Sequence, residues 1–481
     1  MATELYGVYA ELAPSEASTP VSTDTQLIFM GSCAKGDLNK PYIITSMADA
    51  NARLGIEAGD GFSLSEAAIA AFQVAGLSRV IMIPVSHSTE FTAADYVGSA
   101  TEVTGAYALE QYLRENPSAV VLVCAPAVTD GSALEAIRGV CTLADGHWRS
   151  FMVYDLECSE SQLDGRVIDP ASVVSAKIIS SENADAVWGR VRMASGYSIS
   201  GAAVRAALMA RSDADYGVPA RCGGNLAVPS MVSVTVPTEN EITNTAEIIT
   251  PTGLVTYLIV RFTLTQSGFT AFSGELNCEA EITVGGESYT ASGPVLFKDG
   301  VGDLKIGASG LGARVLVSHT VYDIVAPIIR EADVTSLSAD GVCSWIHYGG
   351  GRWHTWGDHT SLFSGGTVSE ERGRFDNIIR MNLMITNRFQ LKYRFEIDNP
   401  MTLGMRNSVI NEQLDYLNSL VAIGALIGEP VVEFRAADNG PDQVGQGYFT
   451  WYTADTPTIP AKHMLDRVAY TQAGLSVYTA E

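Results

Sequence analysis

The sequence is poor in features that mark a disulfide-bonded, a metal-binding or a nucleic-acid-binding protein. Its seven cysteines are odd in number and widely spaced, and no CxxC pair occurs. We therefore expect reduced and mostly buried thiols. Only 30 Lys and Arg residues stand against 54 Asp and Glu residues, which gives a formal net charge of −24. Because neutralising phosphates requires a basic surface, direct binding to nucleic acid is not expected.

Long apolar runs are also missing. The longest, Leu420–Ile427, contains a glycine and is far shorter than the ~20 residues that a membrane span needs, so no membrane insertion is expected. Yet 47% of the residues are hydrophobic and only 17% are charged, which is the composition of a folded protein. A chain of 481 residues has room for about two to four domains.

Catalytic motifs fail at decisive positions. The segment Gly31–Asn39 has the glycine spacing of a phosphate loop, but Asp37 stands where a lysine is required. The segment Gly196–Ser200 lacks the final glycine of a nucleophile elbow. We therefore predict no catalytic, cofactor-binding or metal-binding residue and no enzyme. An α/β-fold enzyme of unknown substrate stays open as the alternative.

A Gly-rich loop near residue 350 contains His347, His354 and His359. Three imidazoles could bind a metal ion, but their spacing matches no zinc pattern. Trp353 and Trp356 lie among them and favour a packed loop with hydrogen-bonded histidines. The packed loop is the preferred interpretation.

The pattern of residues 23–230 predicts an α/β domain. Strands alternate with helices there, which is typical of a largely parallel sheet. The segment Ser63–Gly76 is predicted to be a helix that begins with a capping box between Ser63 and Glu66. The predicted buried strands are Gln26–Gly31, Arg79–Pro84, Ala119–Ala125 and Arg149–Asp155.

The apolar period changes to two in residues 231–325, which predicts an inserted all-β module. Residues Glu279–Ser292 read as a hairpin around a Gly-Gly turn. The module is acidic, so we expect it to project into solvent. Residues 326–460 return to an α+β pattern with a helix at Asn407–Ile427. The predicted fold class is therefore α/β plus α+β multidomain.

Each end of the chain carries β-prone residues beyond a Pro-containing segment. Residues 1–22 form the predicted N-terminal arm and residues 461–481 the predicted C-terminal arm. Such arms can add a strand to the sheet edge of another subunit, although a locally packed terminus stays open for residues 1–22. The arm residues are Leu5, Tyr6, Val8, Tyr9, Leu475, Val477 and Tyr478.

The C-terminal part contains a basic segment inside this acidic chain. A docking surface for an acidic protein partner and ion pairing within the subunit both explain it. We predict the docking surface. Its residues are Arg372, Arg374, Arg380, Arg388, Lys392 and Arg394.

Five segments, in this order, resemble the contractile tail sheath proteins of bacteriophages, tailocins and related injection systems. They are "LYGVYAEL", "TDTQLIFMGSCAKGDLNKPYIITSMADANARLG", "YGVPARCGGNLAVPSMV", "WHTWGDHT" and "RFDNIIRMNLMITNRF". The fourth carries the Trp-Gly-x-x-Thr motif as Trp356, Gly357 and Thr360. The resemblance covers the chain outside residues 231–325. One departure is "CGG" before Asn225, where the family has "SPS"-like residues.

The resemblance implies a structural role without cofactors. Subunits would form stacked hexameric rings around an inner tail tube, and terminal arms would link neighbouring subunits by strand addition. The basic segment would then be the surface that faces an acidic tube. Contraction would drive the tube through a target envelope. The implied partners are further copies of the chain, the tube protein, and baseplate and tail terminator proteins. The implied location is a virion tail assembled in the host bacterial cytoplasm. Another phage structural protein, tube or capsid, stays open as an alternative.

Overall fold

The computed structural model describes residues 25–141, 149–240, 247–249, 257–263, 274–284, 287–298, 301–307, 316–318, 321–348 and 351–473. All seven predicted arm residues lie outside these ranges. They are Leu5, Tyr6, Val8, Tyr9, Leu475, Val477 and Tyr478.

The first part of the chain alternates strands with helices. Its strands are β1 (Gln26–Ser32), β2 (Tyr42–Ile44), β3 (Val80–Ser86), β4 (Val121–Cys124), β5 (Phe151–Asp155), β6 (Leu163–Asp164), β7 (Val167–Ile168), β8 (Ala184–Val187), β9 (Arg190–Met193) and β10 (Ser198–Ile199). Its helices are α1 (Met47–Leu54), α2 (Ser63–Ala68), α3 (Ala93–Val97), α4 (Ala106–Glu115), α5 (Gly131–Cys141), α6 (Pro170–Ser175) and α7 (Gly201–Tyr216). The four predicted buried strands are confirmed as β1, β3, β4 and β5.

The middle part is β structure wherever the structure describes it. Its strands are β11 (Ala227–Val228), β12 (Met231–Asn240), β13 (Glu247–Ile249), β14 (Tyr257–Thr263), β15 (Gly274–Val284), β16 (Glu287–Phe297), β17 (Val301–Gly307), β18 (Leu316–Ser318) and β19 (Val321–Val325). The antiparallel pair β15–β16 confirms the predicted hairpin, with Val284 opposite Glu287.

The C-terminal part mixes helices and strands. Its elements are α8 (Glu331–Ala339), β20 (Val342–Tyr348), β21 (Arg352–Trp356), α9 (Asp376–Tyr393), α10 (Leu403–Ala422), β22 (Val431–Glu433), α11 (Pro441–Gly445) and β23 (Tyr452–Ala454). The predicted long helix is α10, four residues earlier at its start. Short 3-10 turns occur at Glu160–Gln162, Glu371–Gly373 and Arg394–Glu396.

Nine of the described strands form one mixed sheet in the order β11-β21-β20-β8-β5-β4-β1-β3-β2. The six central strands, from β20 to β3, run parallel, and β2, β21 and β11 are antiparallel to their neighbours. Helix α7 crosses β1, β4, β5 and β8 and contacts α2, while α3 and α4 contact α5. Right-handed crossovers between parallel strands place these two groups of helices on opposite faces. The core is the doubly covered sheet.

The predicted capping box at the start of α2 is wrong. The Glu66 carboxylate turns away from Ser63 and accepts hydrogen bonds from Arg190 Nη2 (2.6 Å) and Ser200 N (2.7 Å). Ser63 Oγ instead accepts from Ser32 N at 2.8 Å, at the end of β1. Helix α2, which continues as a π-helix over Ile69–Val74, is thus held to the sheet and to α7 by hydrogen bonds to residues distant in the sequence. Local spacing alone could not show those contacts.

One long strand, β12, connects the β module to the α/β part. The first half of β12 pairs with β9 (Val234 opposite Val191), and its second half pairs with β19 (Val236 opposite Val325). Chain entry and exit therefore lie side by side. This arrangement lets about ninety residues be inserted without separating the segments on either side.

The chain beyond the module completes the sheet of the first part. Strand β20 pairs in parallel with β8 (Cys343 opposite Val187), and β21 pairs with β20 (Trp345 opposite Thr355). The predicted boundary at residue 326 therefore does not separate two sheets. Pairing across an insertion is a long-range contact, and the local pattern of residues 342–356 does not reveal it.

A pair of glycine substitutions tests the packing at the start of α7. A Cβ on Gly201 would lie 2.4 Å from Gly189 O and 3.1 Å from Trp345 Cζ2. We expect Gly201→Ala to lower the unfolding free energy by about 1–3 kcal/mol through overpacking. A Cβ on Gly139 in α5 would meet nothing within 4 Å, so Gly139→Ala should be neutral or stabilise by up to ~1 kcal/mol. Thermal unfolding midpoints of the two variants measure the difference, and equal midpoints would contradict the packing.

Candidate assembly interface

Five buried charged residues join the C-terminal helix α9 to the α/β sheet. We call this group the ionic junction. Each member is at most 1% exposed. Its residues are Asp185 on β8, Arg205 and Asp213 on α7, and Asp376 and Arg380 on α9.

Asp376 connects the two arginines of the ionic junction. Arg205 donates from Nε to Asp185 Oδ2 at 2.8 Å and from Nη2 to Asp376 Oδ2 at 2.9 Å. Arg380 donates from Nη1 to Asp213 Oδ1 at 2.6 Å, and its Nη2 lies 3.7 Å from Asp376 Oδ1. Charge-assisted pairs in a buried site hold their partners in one geometry. The sheet, α7 and α9 are therefore fixed relative to one another.

The same arginines also bind the backbone of the segment that the family resemblance singled out. Arg205 Nη1 donates to Gly223 O and Gly357 O, both at 3.0 Å. Arg380 Nη2 donates to Arg221 O at 2.6 Å. A Cβ on Gly223 would lie 2.8 Å from Arg205 Nη2, so this position requires a glycine. The departure "CGG" in the sequence has this physical role.

The ionic junction contains three carboxylates and only two guanidinium groups. Burial raises the pKa of Asp213 and Asp376, and it raises the pKa of Asp185 to about 7. Removing charge from water is costly unless hydrogen bonds compensate. Gly223 N supplies one of these bonds to Asp376 Oδ2 at 2.8 Å.

The motif residues Trp356, Gly357 and Thr360 lie beside the ionic junction. Trp356 ends β21 opposite Ser344. Gly357 has φ of 96°, a conformation that favours glycine, and this turn presents its carbonyl to Arg205. Thr360 Oγ1 donates to Gly373 O. The motif therefore supports the junction from the loop that follows the sheet.

The histidines near this loop lie in separate environments, and only His359 is buried. His359 stacks on Phe363 with ring centroids 3.8 Å apart, and burial lowers its pKa to about 4. His347 contacts Trp353 edge-on. Across the described residues, no three His, Cys, Asp or Glu side chains are grouped so as to hold a metal ion.

Arg380 does not face a partner in this structure, which corrects the prediction for that residue. Its side chain is 1% exposed, and its two terminal nitrogens contact Asp213, Asp376 and Arg221 O. The cationic charge that the sequence places in the basic segment is here part of the core. Sequence counting could not separate it from the surface charges.

The other five bases of the segment lie toward the two ends of α9. This helix has 18 residues, so its ends are about 27 Å apart. Arg372 pairs with Glu182 and Arg374 with Glu371, both near the N-terminal end. Toward the C-terminal end, Lys392 pairs with Glu412, and Arg388 and Arg394 stack on Tyr416 and Phe395. The tube-facing role of these five residues stays a prediction.

A small two-stranded sheet lies against α9. Strands β22 and β23 pair with Val432 opposite Thr453, and no third strand pairs with them among the residues that the structure describes. An aromatic cluster packs this sheet against α9. Its rings are Phe389, Tyr393, Phe434, Phe449 and Trp451. Because packing holds the sheet in place, its open edges form a rigid surface.

The C-terminal segment leaves the body as an exposed, extended chain. Residues 461–471 contain no helix or strand. Four large apolar side chains in this stretch are between 65% and 88% exposed. They are Met464, Leu465, Val468 and Tyr470. Because contiguous exposed apolar patches often mark interaction sites, this stretch is a candidate surface for a partner. The sequence reading of a β-prone tail missed their exposure, which only a folded body can show.

The first glycine loop offers no room for a ligand. A Cβ on Gly31 would lie 2.4 Å from Ser63 Oγ and 3.0 Å from Leu64 Cγ. The end of β1, where an α/β enzyme often binds its ligand, is therefore filled by α2. No helix in the described part of the chain is long and apolar enough to cross a membrane.

Comparison with known proteins gives a fold match over nearly the whole chain. A chain from the contracted sheath complex of an extracellular contractile injection system, PVC, matches with a TM-score of 0.58 and 13% identity, covering 99% of both chains. A chain from the baseplate of the anti-feeding prophage matches with a TM-score of 0.57 and 14% identity, covering 98% of this chain and 100% of that one. The contracted helical sheath of the same prophage gives a TM-score of 0.56 and 14% identity at the same coverage.

This chain has the fold of contractile sheath proteins. The large mixed sheet with its helices is the shared architecture, and the resemblance seen in the sequence is confirmed at this level. No family model matches the chain. No curated protein matches it either.

Breaking the ionic junction should destabilise the body. Arg380→Met leaves the buried Asp213 carboxylate unpaired, and we expect a loss of about 3–5 kcal/mol in unfolding free energy. Arg374→Met is the matched control, because it removes a cation from an exposed pair on the same segment and should change stability little. Chemical denaturation of both variants is the measurement. Equal stability of the two would contradict the role of the junction.

The ionic junction should also make stability depend on pH. The pKa of Asp185 is about 7 in the folded chain and about 3.9 when unfolded. The folded state therefore binds the extra proton, and the stability from this group falls as pH rises from about 4 to 7. Asp185→Asn should flatten the dependence between pH 5 and 8, measured as thermal unfolding midpoints. An unchanged slope would contradict the assignment.

Proposed function

We propose that this protein is the subunit of a contractile sheath. It polymerises as stacked hexameric rings around an inner tail tube and contracts to drive the tube through the envelope of a target cell. The observation that carries the proposal is the fold match to sheath assemblies over 98% or more of the chain. The match includes two structures of sheaths in the contracted state.

Strand addition is the proposed means of linking subunits. It needs a rigid acceptor edge and a donor strand on a flexible connection. The β22–β23 sheet, supported by its aromatic cluster, supplies the acceptor. Residues 1–22 and 461–481 supply the donors, the latter continuing the exposed segment that carries Met464 and Val468. A donor from one copy that pairs with an acceptor on another makes a heterologous contact, and such contacts propagate into rings and helices.

The energy for contraction comes from assembly in this proposal, because no catalytic group is required. A metastable extended lattice relaxes to one with larger interfaces. Rigid-body rotation of subunits requires a body that does not deform. The ionic junction supports this, since it fixes α9 and its attached sheet to the α/β part.

The proposed layout follows the predicted divisions. Residues 23–230 and 326–460 form the sheath body, with a shared sheet at their contact. Residues 231–325 form an acidic outer module. The partners are the tube protein and the baseplate and terminator proteins. The particle is a phage, a tailocin or a related injection system, and the protein is a component of its tail.

Arm deletions test the proposal. Removing residues 1–22, or truncating the chain from Gly474, should leave folded monomers that do not polymerise. The full-length chain should form hollow, ridged cylinders by negative-stain microscopy under the same conditions. Circular dichroism and thermal midpoints control for folding. If both deletion variants form cylinders of normal length, linkage by the arms is refuted. If the full-length chain forms no cylinders under any condition, the sheath role is refuted.

Charge reversal tests which end of α9 faces the tube. One double variant carries Arg372→Glu and Arg374→Glu, near the N-terminal end of α9. The other double variant carries Lys392→Glu and Arg394→Glu, near the C-terminal end of α9. The tube-facing pair should weaken co-sedimentation with inner tubes isolated from the same particles, more at about 50 mM than at about 500 mM salt. The other pair serves as the control. Equal binding by both variants at both salt concentrations would contradict electrostatic docking.

A further inference from the structure

The C-terminal segment is tied to the body at two successive points. The first is Thr458, whose N–H donates to Ala425 O at 3.1 Å and whose hydroxyl donates to Gly424 O at 2.6 Å. Its carbonyl accepts from Asn377 Nδ2 at 2.8 Å. Three hydrogen bonds to α9 and to the loop after α10 make Thr458 a firm attachment.

The second point is Lys462, which forms an ion pair with Asp358. The carboxylate side is buried, because the Asp358 side chain is 8% exposed. The Lys462 side chain is 44% exposed, and its Nζ lies 6.0 Å from the Phe375 ring centroid. Two residues later the exposed apolar stretch begins with Met464. This ion pair therefore ties the segment to the body just before the exposed stretch.

The surroundings of Asp358 explain why it attracts a cation. Its carboxylate lies 3.6 Å from His359 Nδ1, and the buried His359 stays neutral near pH 7 because its pKa is lowered to about 4. Asp358 also acts electrostatically on Asp376 of the ionic junction, which already has more carboxylates than guanidinium groups. Lys462 thus brings a positive charge to an acid-rich site.

We expect the Lys462–Asp358 pair to be intermediate in strength between a buried and an exposed ion pair, because only one of its two side chains is buried. The Arg380–Asp213 pair has both side chains at 1% exposure and is a permanent part of the core. Fully exposed pairs contribute little and are screened by salt. A pair with one buried and one half-exposed partner is partly screened, so opening it costs less than opening the Arg380–Asp213 pair.

We propose that the Lys462–Asp358 ion pair is a reversible anchor that gives the C-terminal segment two exit points. With the anchor closed, the attachment nearest the exposed stretch is Lys462. With the anchor open, it is Thr458, and residues 459–462 are released from the body. Four extended residues span about 13 Å, so opening the anchor shifts the start of the exposed stretch by up to that distance.

This device matters for linkage between subunits if the proposed sheath function is correct. An arm that stays paired with a neighbour while subunits rotate must absorb a change in distance. Release of four residues at the anchor supplies that length without breaking the strand pairing. The anchor itself does not depend on the sheath role, because every contact in it lies within one chain.

The test is a distance measurement on full-length monomers. Nitroxide labels are placed on Met464→Cys, in the exposed stretch, and on Thr386→Cys, on the exposed side of α9. Four native thiols should react slowly, because burial raises the pKa of Cys33, Cys141, Cys158 and Cys222. A sample without the two introduced cysteines corrects for labelling of native thiols. Pulsed electron resonance then gives the distance distribution.

Adding Lys462→Met should broaden that distribution by up to about 13 Å, and Asp358→Asn should do the same. Arg467→Met is the matched control, because it removes the same charge from the same segment beyond the anchor, and it should leave the distribution unchanged. Thermal midpoints confirm that each variant is folded. A distribution for Lys462→Met that matches that of Arg467→Met would overturn the anchor.

A second readout guards against an indirect effect of the labels. Lys462 lowers the pKa of His359, in addition to the larger effect of burial. Lys462→Met should therefore raise the His359 pKa toward its ordinary value in an NMR titration, and Arg467→Met should not. Failure of both readouts refutes the anchor and leaves the sheath proposal standing. Failure of the full chain to form cylinders refutes the sheath proposal and leaves the anchor standing.

Discussion

The structure depends on one buried carboxylate, Asp376, which lies between Arg205 and Arg380. Through Arg205 it joins helix α9 to helix α7 and, by way of Asp185, to the central sheet, while Arg380 of α9 pairs with Asp213 of α7. Removing either cation would leave an uncompensated buried charge, which is more costly than the loss of an ordinary contact. The position of everything that α9 carries, including the β22–β23 sheet and its aromatic cluster, follows from this bridge.

A gradient of burial runs outward from that bridge to the tail. The ionic junction is fully buried, the Lys462–Asp358 pair has one buried and one half-exposed side chain, and residues 464–473 are exposed. Electrostatic interactions weaken along the same direction because water and salt screen them progressively. A rigid body with a graded attachment of its tail is what a subunit needs if it rotates while it stays linked to its neighbours.

Sequence reasoning succeeded where the signal is local and failed where it is long-range. The buried strands β1, β3, β4 and β5 and the β15–β16 hairpin were predictable from apolar runs and turn residues. The pairing of β20 with β8 was not, because 154 residues of chain separate Val342 from Val187 in sequence and local pattern carries no register. Glu66 has the spacing of a capping residue, yet a distant Arg190 and Ser200 offered its carboxylate stronger partners. Arg380 reads as a surface charge, and only the folded chain shows its buried acid.

The sequence by itself determined the class of the protein: an acidic chain without a catalytic motif, with an α/β part, an all-β insertion and the ordered segments of a contractile sheath fold. Composition and periodicity suffice for the acidity and the types of element, because they set which residues can be buried and in which element, whereas the sheath fold was implied by the resemblance of five ordered segments. Only the tertiary structure decided which charges are structural, where the open sheet edge lies, and where the tail is tied. Those properties arise from contacts between residues far apart in the chain, such as Lys462 with Asp358, and no local pattern encodes them.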